Sequence, residues 1–216
     1  GVGRVKVSNN TTDPISKLRL LFFLKDFMDY PSEVSIDNLA PRSSQEVTLR
    51  ALFNNRILDI TEDTPIQAEI TAIHFRNAQE KRYETVKSLT IYEKHRLMWD
   101  MRERFAAFIT PKDPTILDFA RAVATPFADN GSPLLYGGVL FDALGVLGVR
   151  YMQDPSNPYQ ATSGQTDFVD YIQYPQETLS RKSGDCDDLV GLYTSLLESL
   201  GIRTMIVEVP GHMFMM

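Results

Sequence analysis

The sequence predicts an all-β sandwich domain at 1–95, a linker segment at 96–112 and an α+β domain at 113–216. Three observations predict it. Up to about residue 95, apolar residues alternate with polar ones, and Asn-, Pro- and Ser-rich turns interrupt them at short intervals. From about residue 115 the apolar spacing lengthens to three and four. A long helical stripe at 189–200 is then followed by a β-branched run at 204–209, which mixes helix with strand.

The β elements follow in order. Val5 and Val7 alternate with Lys6 and Ser8 before a turn at 9–14. The run 17–27 reads as a long apolar strand closed by Asp29, Tyr30 and Pro31. A turn at 40–44 precedes Val47, Leu49 and Ala51. Ile66, Ala68, Ile70 and Ala72 alternate with Gln67, Glu69 and Thr71, and Val86, Leu89 and Ile91 form a last strand after a polar turn at 77–81. This layout resembles the immunoglobulin-like modules of bacterial envelope proteins. His74 and His95 have no partner pattern and read as surface residues. Asn9 and Asn10 each open an Asn-x-Thr sequon, which matters only in a eukaryotic secretory setting.

Beyond it, 97–109 carries Trp99, Phe105 and Phe108 among charges and ends at the break 110–114; this is the expected linker. Helices are expected at 115–124 and 134–147, and an irregular loop at 154–159.

Composition narrows the function classes. Lys+Arg number 22 against 28 Asp+Glu, a formal charge of -6, which argues against a nucleic-acid partner. No apolar run approaches the roughly 20 residues that span a bilayer. One cysteine excludes an internal disulfide and a multi-thiolate zinc site. The opening Gly-Val-Gly-Arg carries no leader pattern, and both ends read as cuts within a longer chain.

The chemistry concentrates in Ser183-Gly184-Asp185-Cys186-Asp187-Asp188-Leu189. Leu189, Leu192, Tyr193, Leu196, Leu197 and Leu200 recur at helical steps, with Gly201 at a left-handed stop and Gly184-Asp185 as turn and N-cap. Cys186 then sits in the first turn, at the positive end of the helix dipole. From 186 to 200 the helix climbs about 21 Å at ~1.5 Å per residue. A strand from 203 to 210 returns about 23 Å at ~3.3 Å per residue. His212 thereby arrives level with Cys186, as a base to a thiol nucleophile requires.

The string 170–179 with Ser183-Gly184-Asp185-Cys186-Asp187-Asp188-Leu189, and Gly211-His212 after the strand, is similar to the core of bacterial transglutaminase-like (papain-related) cysteine domains. The resemblance covers roughly 113–216. It implies Cys186 as nucleophile and His212 as base, acting on peptide or glutamine amide bonds through a thioester. It also implies an Asp or Asn, on the strand after the histidine strand, that orients the imidazole. The chain ends before that strand, so the domain reads as C-terminally truncated, and Met213-Phe214 stand where the family has Ala-Trp. Related enzymes draw oxyanion groups from before the cysteine helix, which makes Gln173 and Tyr171 candidates on the oxyanion or substrate side. The competing reading is that Tyr171 and Tyr174 pack the core.

No cofactor or metal is expected. Asp187 and Asp188 read as first-turn helix residues rather than ligands, since a hard cation needs more oxygens. Asp185, Asp187 and Asp188 crowd the thiol and disfavour thiolate. A buried, inert cysteine is the bland alternative, and a non-catalytic interaction or scaffold module is the alternative function. The expected partner is a protein or peptide, within a larger assembly in an extracytoplasmic, periplasmic location.

Overall fold

The computed structural model describes residues 2–76, 79–129, 131–153 and 169–216. The loop expected at 154–159 lies outside these residues. The chain divides into two compact units, Gly1–Lys94 and His95–Met216. Its architecture is mixed, with mostly antiparallel strands in small sheets and several helices.

In the first unit, β2 (Ile15–Leu24), β3 (Ser32–Leu39), β5 (Thr64–Arg76) and β6 (Gln79–Ile91) form an antiparallel sheet in the order β3-β2-β5-β6. β1 (Gly3–Ser8) pairs antiparallel with β4 (Ser44–Leu49), in register Val5 to Val47. Alternation in β2 turns Leu18, Leu20, Phe22 and Leu24 inward, none more than 2 % exposed. Val47 and Leu49 of β4 pack on that face, together with Ile36, Leu39 and Ala68. This face is the core of the unit.

β3 was not expected. Its Glu33, Ser35 and Asp37 leave only Val34 and Ile36 in apolar alternation, too short a run to mark a strand until β2 is beside it. The turn expected at 77–81 is shorter, because Gln79 to Lys81 already pair with Arg76 to His74 in the ladder; residues 77–78 are outside the description. His74 is not a surface residue. It is 7 % exposed, and it lies on the same sheet face as Ala72, which packs against the core. Asn9 is 1 % exposed and its amide donates to the carbonyls of Asp13, Leu39 and Ala40. That use of its side chain makes Asn9 unavailable as a sequon acceptor in the folded protein.

In the second unit, β7 (Arg96–Met98) pairs antiparallel with β9 (Val169–Tyr171), and a 3-10 helix runs over Arg102–Phe108. Helices α1 (Pro114–Ala124), α2 (Pro133–Leu147), α3 (Pro175–Arg181) and α4 (Cys186–Ser199) follow. β8 (Arg150–Tyr151) and β10 (Ser183–Gly184) pair in parallel, and β11 (Ile206–Val209) turns back as β12 (His212–Met215). Leu192, Leu196 and Leu197 of α4 pack on Ile116, Ala120, Leu140 and Leu144 of α1 and α2. The other side of α4 packs Cys186 and Val190 against Ile172, Met213 and residues near the start of the unit.

Those residues correct the expected linker at 96–112. Leu97, Trp99, Phe105 and Phe108 are each at most 4 % exposed and belong to the core around Cys186. Their spacing in a strand and a 3-10 helix gives no long-period signal, so the sequence reads the segment as a linker that packs on one domain or both, and the structure makes it part of the second unit. His95 also differs from expectation. Its ring stacks on Tyr171 at 4.9 Å and its Nε2 lies 2.7 Å from Glu177 Oε2.

Candidate active site

The geometry starts at β10. A Cβ on Gly184 would lie 2.5 Å from the Asp188 Cβ and 2.8 Å from its Oδ2, so only glycine lets β10 pass this close to α4. Asp185 occupies the N-cap position in an extended conformation and Cys186 is the first helical residue. Asp188, three residues on, reaches back to accept from the Asp185 N–H at 3.4 Å. The same carboxylate accepts from the backbone N–H of Gln173 at 2.7 Å and from its side-chain amide. Gln173 in turn accepts from Arg181 Nη1 at 3.0 Å through Oε1. One buried network therefore sets where α4 begins.

At the other end of the helix Gly201 adopts φ 78°, the left-handed stop read from the sequence. The chain then forms the β11–β12 hairpin, turning at Gly211 with φ 75°. The helix-out, strand-back path does return to Cys186: Met213 packs with it in one buried cluster, and the backbone N–H groups of Met213 and Asp187 act to lower the thiol's pKa. Met213 points inward at 3 % exposure, whereas His212, its neighbour on β12, is on the exposed side. Cys186 and His212 both line one cavity of about 500 Å³, whose walls include Phe141, Tyr151, Leu192 and Phe214.

Cys186 is 4 % exposed. Burial, then Asp187 and Asp185, push its thiol up to about 12, against which the two backbone N–H groups act more weakly. The helix end, equivalent to about half a positive charge, does not overcome burial plus two carboxylates. At rest the site holds a protonated thiol. Burial first, and Asp185 beside it second, also raise the Asp187 carboxyl well above its ordinary value. Its Oδ1 accepts from the Asp188 N–H at 3.0 Å, and its Oδ2 has no hydrogen-bond partner among the described residues. Asp188 is raised to about 6, burial outweighing the bonds from Gln173, and is ionised at neutral pH.

Candidate ligand atoms of Asp185, Cys186 and Asp187 lie within 4.8 Å of one another. The three donors come from adjacent residues and no other His, Cys, Asp or Glu among the described residues is grouped with them, so no metal is assigned to them.

Of the residues singled out from sequence, Cys186 and His212 thus meet on one cavity. Gln173 and Tyr171 are not among its lining residues. Gln173 is spent on Asp188, Arg181 and the Ser183 carbonyl, and Tyr171 stacks on His95. Tyr174 packs on Phe108 at 5.1 Å, as the core reading of that residue expects. Two residues escaped sequence reading. Tyr151, brought to the cavity by the β8–β10 pairing, has its phenol raised by burial first and then by Cys186. Asp170, 2 % exposed, accepts from Trp99 Nε1 at 2.9 Å under the site. The signal for Asp170 was its place one residue before Tyr171; nothing in the sequence marks Tyr151. Compared with protein-family models, curated proteins and solved structures, the chain matches none of them.

Proposed function

We propose that the second unit is a transglutaminase-like, papain-related cysteine domain that acts on peptide or glutamine amide bonds, carried beside an immunoglobulin-like β-sandwich in an extracytoplasmic, periplasmic protein. The observation that carries the reading is a cysteine at a helix start, packed with Met213 of the strand that His212 opens, on a cavity that Cys186 and His212 both line. The Gly184-Asp185-Cys186 string and Gly211-His212 support the family assignment, and the two-layer first unit supports the sandwich.

In this reading the sulfur of Cys186 attacks the amide carbonyl carbon while its proton passes to a ring nitrogen of His212. Because the thiol rests protonated, the imidazole acts during attack rather than by storing a thiolate. The developing oxyanion is held by backbone N–H groups at the start of α4. The C–N bond then breaks, the leaving amine takes the proton from His212, and a thioester remains on Cys186. Water or a second amine cleaves it.

A second reading, a scaffold module that keeps the fold without catalysis, is favoured by one observation, the deep burial of a thiol raised to about 12. The test supplies a glutamine-containing peptide with hydroxylamine and measures hydroxamate and acyl adducts by mass spectrometry. The catalytic reading expects product that Cys186→Ala abolishes and His212→Ala lowers by about 10²-fold or more. Peptide binding without any adduct or product selects the scaffold reading.

A further inference from the structure

The cavity that Cys186 and His212 share, about 500 Å³, falls in the roughly 300–1,000 Å³ range of ligand pockets and has room for a side chain beside the reacting amide. Phe141 and Leu144 of α2, Leu189 and Tyr193 of α4 and Phe214 of β12 wall it. Among the described residues, no Asp, Glu, Lys or Arg lines it. The α2 wall follows from sequence, since Pro133–Leu147 carries Asp142 as its one charge and is otherwise almost wholly apolar. Leu140 and Leu144 are spent on the core, which leaves Phe141 on the cavity 68 % exposed. Phe214 faces the same space at 38 % exposure. Aromatic surface left in water around a nucleophile is stabilised when an apolar group covers it.

The polar side chains on the cavity are few and mostly committed. The Tyr193 hydroxyl donates to the Gly137 carbonyl at 2.7 Å. Cys186 and His212 are reserved for the amide. Tyr151 remains, and its phenol is raised by burial first and then by Cys186 and Asp185, so it stays a neutral donor in a negative field. A glutamine carboxamide laid in this recess brings two N–H donors and an acceptor and meets one partner. A carboxylate meets the field of Asp185 as well. A hydrocarbon side chain incurs neither cost.

Resting on the catalytic reading of Cys186, we infer that the substrate is a peptide whose scissile amide follows a large apolar residue, such as phenylalanine or leucine, and that Phe141 is a specificity-determining residue. That side chain lies against Phe141, Leu144 and Phe214 while the sulfur of Cys186 takes the acyl carbon. The C–N bond breaks and the amine leaves with the proton held by His212. Water or a second amine then releases the acyl peptide from the thioester.

The test uses the whole chain and five peptide anilides that differ only in the residue before the scissile bond: phenylalanine, leucine, alanine, glutamine or glutamate. The kcat/KM for anilide release is expected to be about tenfold or more higher for phenylalanine and leucine than for alanine. Glutamine should do no better than alanine, and glutamate should be slowest. Phe141→Lys, at an exposed position, should lower the phenylalanine peptide about tenfold and raise the glutamate peptide, a reversal that a damaged fold does not produce. In Cys186→Ala, which forms no thioester, dye-labelled forms of the peptides should bind in the same order by fluorescence polarisation. Glutamine or glutamate handled as well as phenylalanine, in rate or in binding, overturns the inference, and any product formed leaves the catalytic reading standing. So does an unchanged order in Phe141→Lys. Ordered binding without product from any peptide ends the catalytic reading and keeps the recess as a site for apolar side chains. Neither binding nor product overturns both.

Discussion

Asp188 is the residue on which the site turns, because its carboxylate links the start of α4 to Gln173 and through it to Arg181. Burial raises it from 3.8 to about 6. A carboxyl group raised in the folded state favours folding while it is protonated. That contribution is complete below about pH 3.8, the unfolded value, and is lost as pH rises through about 6. The difference of roughly two pH units corresponds to about 3 kcal/mol. Urea unfolding between pH 3.5 and 7 should show a steeper fall in the wild type than in Asp188→Asn, where the raised Asp187 still titrates but position 188 does not. The variant is also expected to be less stable at pH 7, since its new NH₂ meets the Gln173 donors. An equal slope in both proteins would assign the titration to another carboxyl. The same burial that raises Asp188 keeps Cys186 a thiol, and adds to the crowding by Asp185 and Asp187 that the sequence already shows.

At the scale of elements, β10 and α4 are held together by the absence of a side chain. Gly184 is not in the left-handed region, and its requirement is space: the nearest Asp188 atom would stand 2.5 Å from a Cβ. Asp188 is tethered by three hydrogen bonds from Gln173 and Asp185 and has no free direction in which to yield. Gly184→Ala should therefore cost about 2–3 kcal/mol, overpacking plus a disturbed buried network. Thermal or urea denaturation measures it. A loss below about 0.5 kcal/mol, the level of an ordinary surface change, would mean that α4 can shift without disturbing the site. The β11–β12 hairpin shows the complementary case. Pro210-Gly211 marked the turn in sequence, and the register Val209 to His212 delivers Met213 to the thiol.

At the scale of the molecule, the division at Lys94/His95 puts 96–112 inside the second unit. Leu97, Trp99, Phe105 and Phe108 each contribute roughly 1.5–3 kcal/mol by burial. Their sum, about 6–12 kcal/mol, is comparable to the about 5–15 kcal/mol that holds a whole domain folded. A fragment from His95 onward is expected to fold, with the near-ultraviolet signal of its one tryptophan intact. A fragment from Asp113 onward is expected to lack cooperative unfolding in urea. Equal cooperativity of the two would show the segment to be a linker after all.

Sequence by itself determined the helix of the site from Cys186 to the stop at Gly201, the turn before His212 and most of the first unit's strands. These depend on local period, capping and turn chemistry, which neighbouring residues carry among themselves. Tertiary structure decided what packs on the thiol, how Gln173 and Asp170 are used, that His74 is buried, and that Leu97, Trp99, Phe105 and Phe108 are core. Each of those depends on long-range pairing and on burial. Burial sets the cost of a charge or an unpaired polar atom, and no local pattern records how much water a distant strand will exclude.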